Sequence, residues 1–307
     1  MTDSSPNDAH NVEAVVEGPC LGDHRRLWTP WRMRYVGGEA PKDDCVFCRR
    51  LEADDDAASL ILWRGDHVFA IMNLFPYNTG HLMLIPNDHV ASPEDTDPAA
   101  LREMATLLPT VLRALRRVLR CDGFNVGFNV GADAGAGVAD HLHQHVVPRW
   151  EGDANFMPIL AATMVLPELI PVTYAKVRAE LTREATGDDQ VTCVAFDRDR
   201  RVLARRRADG WRLPTADALD EESLWQAARR ELTDLAGVPA EIIGWAGTGR
   251  VGDGRKALTF AFPDAPPTEL LAPDLGWLNV AQLPLAEDEA GAVTVAAARY
   301  AEGQGSR

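Results

Sequence analysis

Three histidines alternate with other residues in His141-Leu142-His143-Gln144-His145, the densest group of chemically versatile side chains in the sequence. In an extended segment alternate side chains share a face, so the three imidazoles are expected to line one surface while Leu142 and Gln144 turn away. Such a surface can bind a metal or handle phosphate, and a solvated strand rich in histidine is the plain alternative. A neutral imidazole nitrogen is available near pH 7 and is a competent nucleophile. Its attack on phosphorus would divide the cleavage of a phosphoanhydride into two steps through a phosphoramidate. Just upstream, the stretch Gly131 to Gly137 holds three glycines whose backbone N–H groups can approach an anion closely.

A second constellation is Cys45-Val46-Phe47-Cys48. Two intervening residues let both thiolates reach one tetrahedral ion, whereas a redox pair or two buried free thiols are the alternatives. Cys20, Cys121 and Cys193 bring the cysteines to five, an odd and scattered set in which a disulfide framework is not expected. His81 reads equally as a site residue or as a packed, hydrogen-bonded side chain. Trp28, Trp31 and Trp150 read as core or interface residues more readily than as base-stacking platforms.

The elements that must position these groups follow from hydrophobic periodicity. Strands are expected at 60–63, 67–72 and 81–86, then at 123–130 and 141–147, the last two joined by the glycine-rich turn. Between them Leu101, Met104, Leu107, Leu108, Val111, Leu112, Leu115, Val118 and Leu119 repeat with helical spacing, one face being buried against a sheet. Pro109 is expected to bend or interrupt that helix. A helix near 165–185 closes the first half, giving an α+β pattern of an antiparallel sheet with helices. Polar turn residues from Thr186 to Gln190 mark a hinge. Beyond it come a hairpin (191–196 and 201–204), a helix at 220–236, strands near 241–246 and 256–262, and a final helix at 286–302.

With 307 residues, two domains are the natural expectation, preceded by a polar, disordered tail over 1–25. The formal net charge of −15 opposes non-specific nucleic-acid binding, which depends on neutralising phosphates. Apolar runs fall far short of the roughly 20 residues that span a bilayer, and the polar, acidic N-terminus lacks the pattern of a signal peptide. A cytoplasmic protein that engages neither membrane nor nucleic acid is expected.

The block from His141 to Val147, followed by Pro148-Arg149-Trp150 and by Gly152 to Phe156, resembles the histidine triad (HIT) superfamily, and most of all its branch of diadenosine tetraphosphate phosphorylases, or ATP adenylyltransferases. Three further blocks match in order: Leu27 to Arg32, Asn73 to His81, and Gly123 to Gly131. The resemblance spans about residues 27–180. It implies that His143 attacks the α-phosphorus of a dinucleoside polyphosphate and is transiently nucleotidylated, with His145 donating to phosphate oxygens. It also implies that Asn73 meets the ribose, that Asn129, Gly135, Gly137 and Val138 lie beside the phosphates, and that two copies form a homodimer. For the cysteine pair it supplies His89 and His141 as partners in a structural zinc site. Inorganic phosphate as acceptor gives phosphorolysis; water gives hydrolysis. Ala136 and Gly137 stand where hydrolytic branches often carry Gln and then Ser or Thr, which favours phosphorolysis or nucleotidyl transfer.

The second half is similar to a Nudix box in Trp211-Arg212-Leu213-Pro214, Glu222, Ala227 to Leu232 and Ala236-Gly237-Val238. Such a box holds Mg²⁺ with several carboxylates on one helix face. Here Glu231 is kept, while Asp234 and Leu235 replace two glutamates and Thr215 and Ala216 replace the glycines. The resemblance therefore implies a HIT-like catalytic domain over 26–186 and a Nudix-like α/β/α sandwich with impaired catalysis over 187–307. Two rivals to the phosphorylase reading are a HIT hydrolase of a nucleotidylated metabolite or nucleotide sugar, and a protein that senses nucleotides without turnover.

Overall fold

The computed structural model describes residues 45–153, 168–247, 256–262, 264–280 and 287–304. Cys20, Trp28, Trp31, the expected tail, the block Leu27 to Arg32 and residues 154–156 of the triad block lie outside them.

Two short helices, α1 (Val46–Glu52) and α2 (Asp56–Ser59), lead into β1 (Ile61–Arg64), β2 (Val68–Met72) and β3 (Leu82–Pro86). The long helix α3 (Pro98–Leu119) follows, then β4 (Gly123–Phe128) and β5 (Gln144–Arg149). The sheet is antiparallel throughout, in the order β1-β2-β3-β5-β4. Every residue of β2 and β3 is buried because the two faces of the sheet serve two cores. Val68, Ala70 and Met72 face α3 through Met104, Leu107, Val111 and Leu115, whereas Phe69 and Ile71 pack with Phe47 of α1.

Helix α3 starts at Pro98 after the Asp97 side chain, which accepts from the Ala99 N–H at 2.6 Å, and stops at Arg120 in the left-handed conformation. It runs unbroken through Pro109, contrary to the expected interruption. Pro109 and Ala105, whose carbonyl loses its helical donor, are both exposed, so water can take the vacated place.

Helix α4 (Ile170–Thr186) buries nine consecutive residues, Thr173 to Leu181. Arg117 of α3 pairs with its Glu180 at 2.7 Å, and its Tyr174 hydroxyl donates to the Ile61 carbonyl at 2.9 Å. Its other side packs on the second sheet, so one apolar core runs through both halves. That sheet contains β6 (Gln190–Phe196), β7 (Val202–Arg207), β8 (Gly210–Arg212), β9 (Thr215–Asp217), β10 (Glu241–Trp245), β11 (Ala257–Ala261) and β12 (Leu275–Leu278). Its main path is β10-β11-β6-β7-β12, with β8 on β7 and β9 on β6; β11 and β6 are parallel, so the sheet is mixed. Helix α5 (Leu224–Ala236) covers one face with α4, and α6 (Glu287–Gln304) covers the other through Ala292, Val293 and Ala296.

Candidate functional site

The triad is not one regular strand. Beta strand β5 begins at Gln144, and the ladder to β3 ends at Leu84–Gln144. Two residues on, Pro86 has no N–H to offer, and the chain before Gln144 turns to other partners. The Leu142 N–H donates to the Val90 carbonyl at 2.6 Å, and His141 Nε2–H donates to the Pro86 carbonyl at 2.9 Å. The break separates the three imidazoles: His141 faces the cysteines, while His143 and His145 line a cavity.

Asn73, Asn129, Gly135, Gly137 and Val138 line the same cavity, whose remaining walls include Phe47, Arg50, Ile71, Leu74, Phe75, Tyr77 and Met83. Register explains His145: it sits opposite Met83, and directly opposed residues project to one side. The loop carrying Asn129 returns through Gly135 at φ 81°, a left-handed backbone that suits glycine.

His143 is buried, and its Nδ1–H donates to the His141 carbonyl at 2.8 Å. A carbonyl can only accept, so the proton is on Nδ1 and the Nε2 lone pair is left for a ligand. Burial pushes the pKa of His143 down, against the smaller opposing effect of that hydrogen bond. The ring is therefore neutral near pH 7.

His145 is oriented by a relay. The Tyr77 N–H donates to His81 Nδ1 at 3.0 Å, so His81 carries its proton on Nε2, which donates to His145 Nδ1 at 3.0 Å. His145 must then hold its own proton on Nε2; Asn129 Nδ2, itself a donor, lies 3.4 Å away, so Asn129 accepts from that proton only with its amide turned to present Oδ1. Tyr77 stacks on His81 with ring centroids 4.8 Å apart. The turn ahead of His81 needs Gly80: its φ is 79°, and a β-carbon there would come within 2.3 Å of Leu119. The sequence signal for His81 was weak because a lone buried histidine is ambiguous until its partner is placed. Phe47, Arg50 and Met83 went unread because helix α1 is short and Met83 belongs to a strand that is apolar on both faces.

A second cluster lies behind the cavity. Cys45 Sγ is 3.3 Å and Cys48 Sγ 3.6 Å from His141 Nδ1, and Cys48 Sγ is 3.4 Å from His89 Nδ1. One donor atom from each of the four residues lies within 4.8 Å of all the others, a Cys₂His₂ arrangement able to hold a metal ion. A tetrahedral ion with bonds of about 2.3 Å to sulfur and about 2.0 Å to nitrogen has ligand–ligand edges of roughly 3.3–3.8 Å, which these separations match. Burial, then the neighbouring Cys45 thiol, push the Cys48 thiol up to about 11.

The residues 55–152 match the HIT domain family. The chain belongs to the histidine triad family. An AP-4-A phosphorylase of Mycobacterium tuberculosis is 38% identical over 194 residues, covering 60% of this chain and 100% of that relative. The adenylylsulfatase HINT3 of Arabidopsis thaliana is 33% identical over 112 residues, 36% of this chain and 55% of that protein. A zinc-bound histidine triad protein structure from Mycobacterium smegmatis is 26% identical and covers 48% of this chain and 100% of that one, with a TM-score of 0.39.

No helix among the described residues is long and apolar enough to cross a membrane.

Proposed function

We propose that the protein cleaves dinucleoside polyphosphates of the diadenosine tetraphosphate type by nucleotidyl transfer through His143. The observation that carries this reading is the tautomer of His143: with Nδ1–H held by the His141 carbonyl, Nε2 is the basic nitrogen, on a residue that lines the cavity. In the first step Nε2 forms a bond to the α-phosphorus, and the bond from that phosphorus to the bridging oxygen breaks, releasing a nucleoside polyphosphate. The positive charge gained by the ring is spread toward the His141 carbonyl. His145 donates from Nε2 to a phosphate oxygen where charge builds up, as do the backbone N–H groups near Gly135, Gly137 and Val138. In the second step an oxygen of inorganic phosphate displaces His143, forming a nucleoside diphosphate and restoring the neutral ring. Asn73 takes the ribose, and Asn129 lies beside the phosphates.

The AP-4-A phosphorylase that matches along its whole length supports phosphate rather than water as acceptor. The expected outcome with diadenosine tetraphosphate and phosphate is ATP plus ADP, abolished by His143→Ala. No turnover of any dinucleoside polyphosphate by the wild type, with or without phosphate, would overturn this reading in favour of its two rivals, the hydrolase of a nucleotidylated metabolite or nucleotide sugar and the nucleotide sensor.

We assign the Cys45, Cys48, His89 and His141 cluster to structural zinc. When bound, the ion supplies a fixed crosslink between helix α1 and the segment leading to His143; four protein ligands leave it no open position for substrate.

The second half we read as a Nudix-like sandwich without effective Mg²⁺ chemistry. Leu235 packs against the core where a carboxylate would be needed, and Glu231 lies 4.0 Å from the Arg205 guanidinium. A homodimer joined along β4 completes the proposal. That strand is at a sheet edge and exposes Val126 and Phe128, with Val130 just beyond it.

A further inference from the structure

We propose that Cys45 and Cys48 are a site of reversible oxidation, at which a peroxide converts the pair to a disulfide, expels the metal and slackens the hold on His143. The inference rests on the assignment of zinc to this cluster, and its link to His143 rests on the reading of that residue as the nucleophile.

The two sulfurs are within reach of each other and of solvent. Cys45 is the N-cap of α1 and Cys48 stands in its first turn. Their sulfurs lie 3.3 and 3.6 Å from the same His141 nitrogen, and within 4.8 Å of one another. Residues three apart on one turn are neighbours, so closing that gap to a sulfur–sulfur bond of about 2.05 Å takes only a local adjustment. Both cysteines are half-buried, the Cys48 contact with His89 is on the exposed side of the cluster, and His89 itself is exposed. Cys121 and Cys193, by contrast, are buried. A bound metal holds its cysteine ligands as thiolates, the form that attacks a peroxide.

The steps balance with hydrogen peroxide as the oxidant. The Cys48 sulfur takes one peroxide oxygen to become a sulfenic acid; the O–O bond breaks, and the departing hydroxide takes a solvent proton to become water. The Cys45 thiolate then forms the S–S bond and displaces the sulfenic hydroxyl, which also leaves as hydroxide and is protonated by solvent. Two thiolates have given two electrons to one peroxide, with two waters as products. A disulfide offers no thiolate, so His89 and His141 are left as half of a tetrahedral set, too few to keep the ion. Two contacts carry that loss to the nucleophile. His141, whose carbonyl accepts the Nδ1–H of His143 at 2.8 Å, loses its anchor to the metal. Phe47, between the two cysteines, packs against both rings, with centroids 5.5 Å from His141 and 5.3 Å from His143.

The test measures the zinc content of the full-length wild type and then treats it with a small excess of hydrogen peroxide. Zinc is expected to pass to a chromogenic chelator, and a digest made without reductant should contain Cys45 linked to Cys48, two hydrogens lighter than the dithiol. Turnover of diadenosine tetraphosphate should fall roughly tenfold or more, and dithiothreitol with zinc should restore both metal and turnover. Zinc kept by the treated protein, or released with the two cysteines unlinked, overturns the site. Turnover unchanged after zinc release overturns the link to His143. Protein without zinc at the outset overturns the zinc assignment and this inference together. No turnover before oxidation overturns the nucleotide reading and the link to His143, while zinc release and the disulfide still decide the site.

Discussion

His143 and His145 are two residues apart yet are prepared for opposite tasks, and the difference lies in what each Nδ1 meets. At His143 a carbonyl takes the Nδ1 proton and leaves Nε2 basic; at His145 a donated proton occupies Nδ1 and leaves Nε2 as a donor. The second arrangement depends on His81, whose polarity is set by a backbone N–H that cannot reverse. His81→Phe is expected to lower kcat by about 10²-fold with little change in KM, since a positioned proton donor contributes on that scale. His81→Gln, which can accept from Tyr77 through its oxygen and donate through its amide nitrogen, should recover part of the loss. An unchanged kcat in His81→Phe would remove His81 from the relay. The alternation of His141, His143 and His145 was legible as a cluster, but not the division of labour, which depends on hydrogen-bond partners contributed by distant Pro86 and His81. The expectation that all three rings share one face was wrong for a local reason: the ladder ends before Pro86, and the chain at His141 turns to the cysteines.

At the scale of elements, the cysteine spacing and the periodicity of α3 were the clearest signals, because each is set by residues close in sequence. The metal cluster joins α1 to the segment before β5, elements 93 or more residues apart by the Cys48–His141 contact. Purified protein is expected to contain about one zinc per chain by metal analysis. The double substitution Cys45→Ser, Cys48→Ser should lose it and lower the melting temperature; a metal-free wild type with the same stability would refute the assignment. Asp153 ties together another set of elements, accepting from Arg149 of β5 at 2.6 Å and from Asn78 at 2.9 Å. Chiefly through the Arg149 hydrogen bond, its carboxyl is lowered from the ordinary 3.8 to about 2. A lowered folded-state pKa contributes stability above the unfolded value that is lost as pH falls through the folded one. Asp153→Asn is therefore expected to cost about 1 kcal/mol near neutral pH, after allowance for solvent screening, and nothing below pH of about 2. Denaturant titrations across that range check it, and a cost that persists in acid would contradict the assigned cause.

Across the whole molecule the two halves share a core through α4, whose buried face was not legible as such. Its buried Lys176, Arg178 and Glu180 look like a solvated helix surface in a linear sequence, and only the packed elements around α4 bring in distant partners such as Arg117 of α3, Trp225 of α5 and Trp245 of β10. Lys176 lies over the Trp225 ring at 4.1 Å, and Arg178 over Trp245 at 4.7 Å, so charged groups from α4 are taken up by aromatic residues of the second half. The short strands β8, β9 and β12 were missed because three or four residues carry too little periodicity to read. The exposed apolar residues of β4 bear on assembly. Sedimentation of the wild type is expected to show a dimer, and Val126→Glu, which places a charge on the edge strand, should shift it to monomer. A monomeric wild type would rule out pairing along β4.

The central claim is that His143 carries the nucleotidyl group between donor and acceptor. Brief exposure to diadenosine tetraphosphate without phosphate, followed by rapid quenching and mass spectrometry of the digested protein, tests it most directly. An adenylyl increment on the peptide containing His143, acid-labile and discharged as ADP when phosphate is added, is the predicted result. Turnover in phosphate with no adduct on that residue, or with the adduct on another, would contradict it.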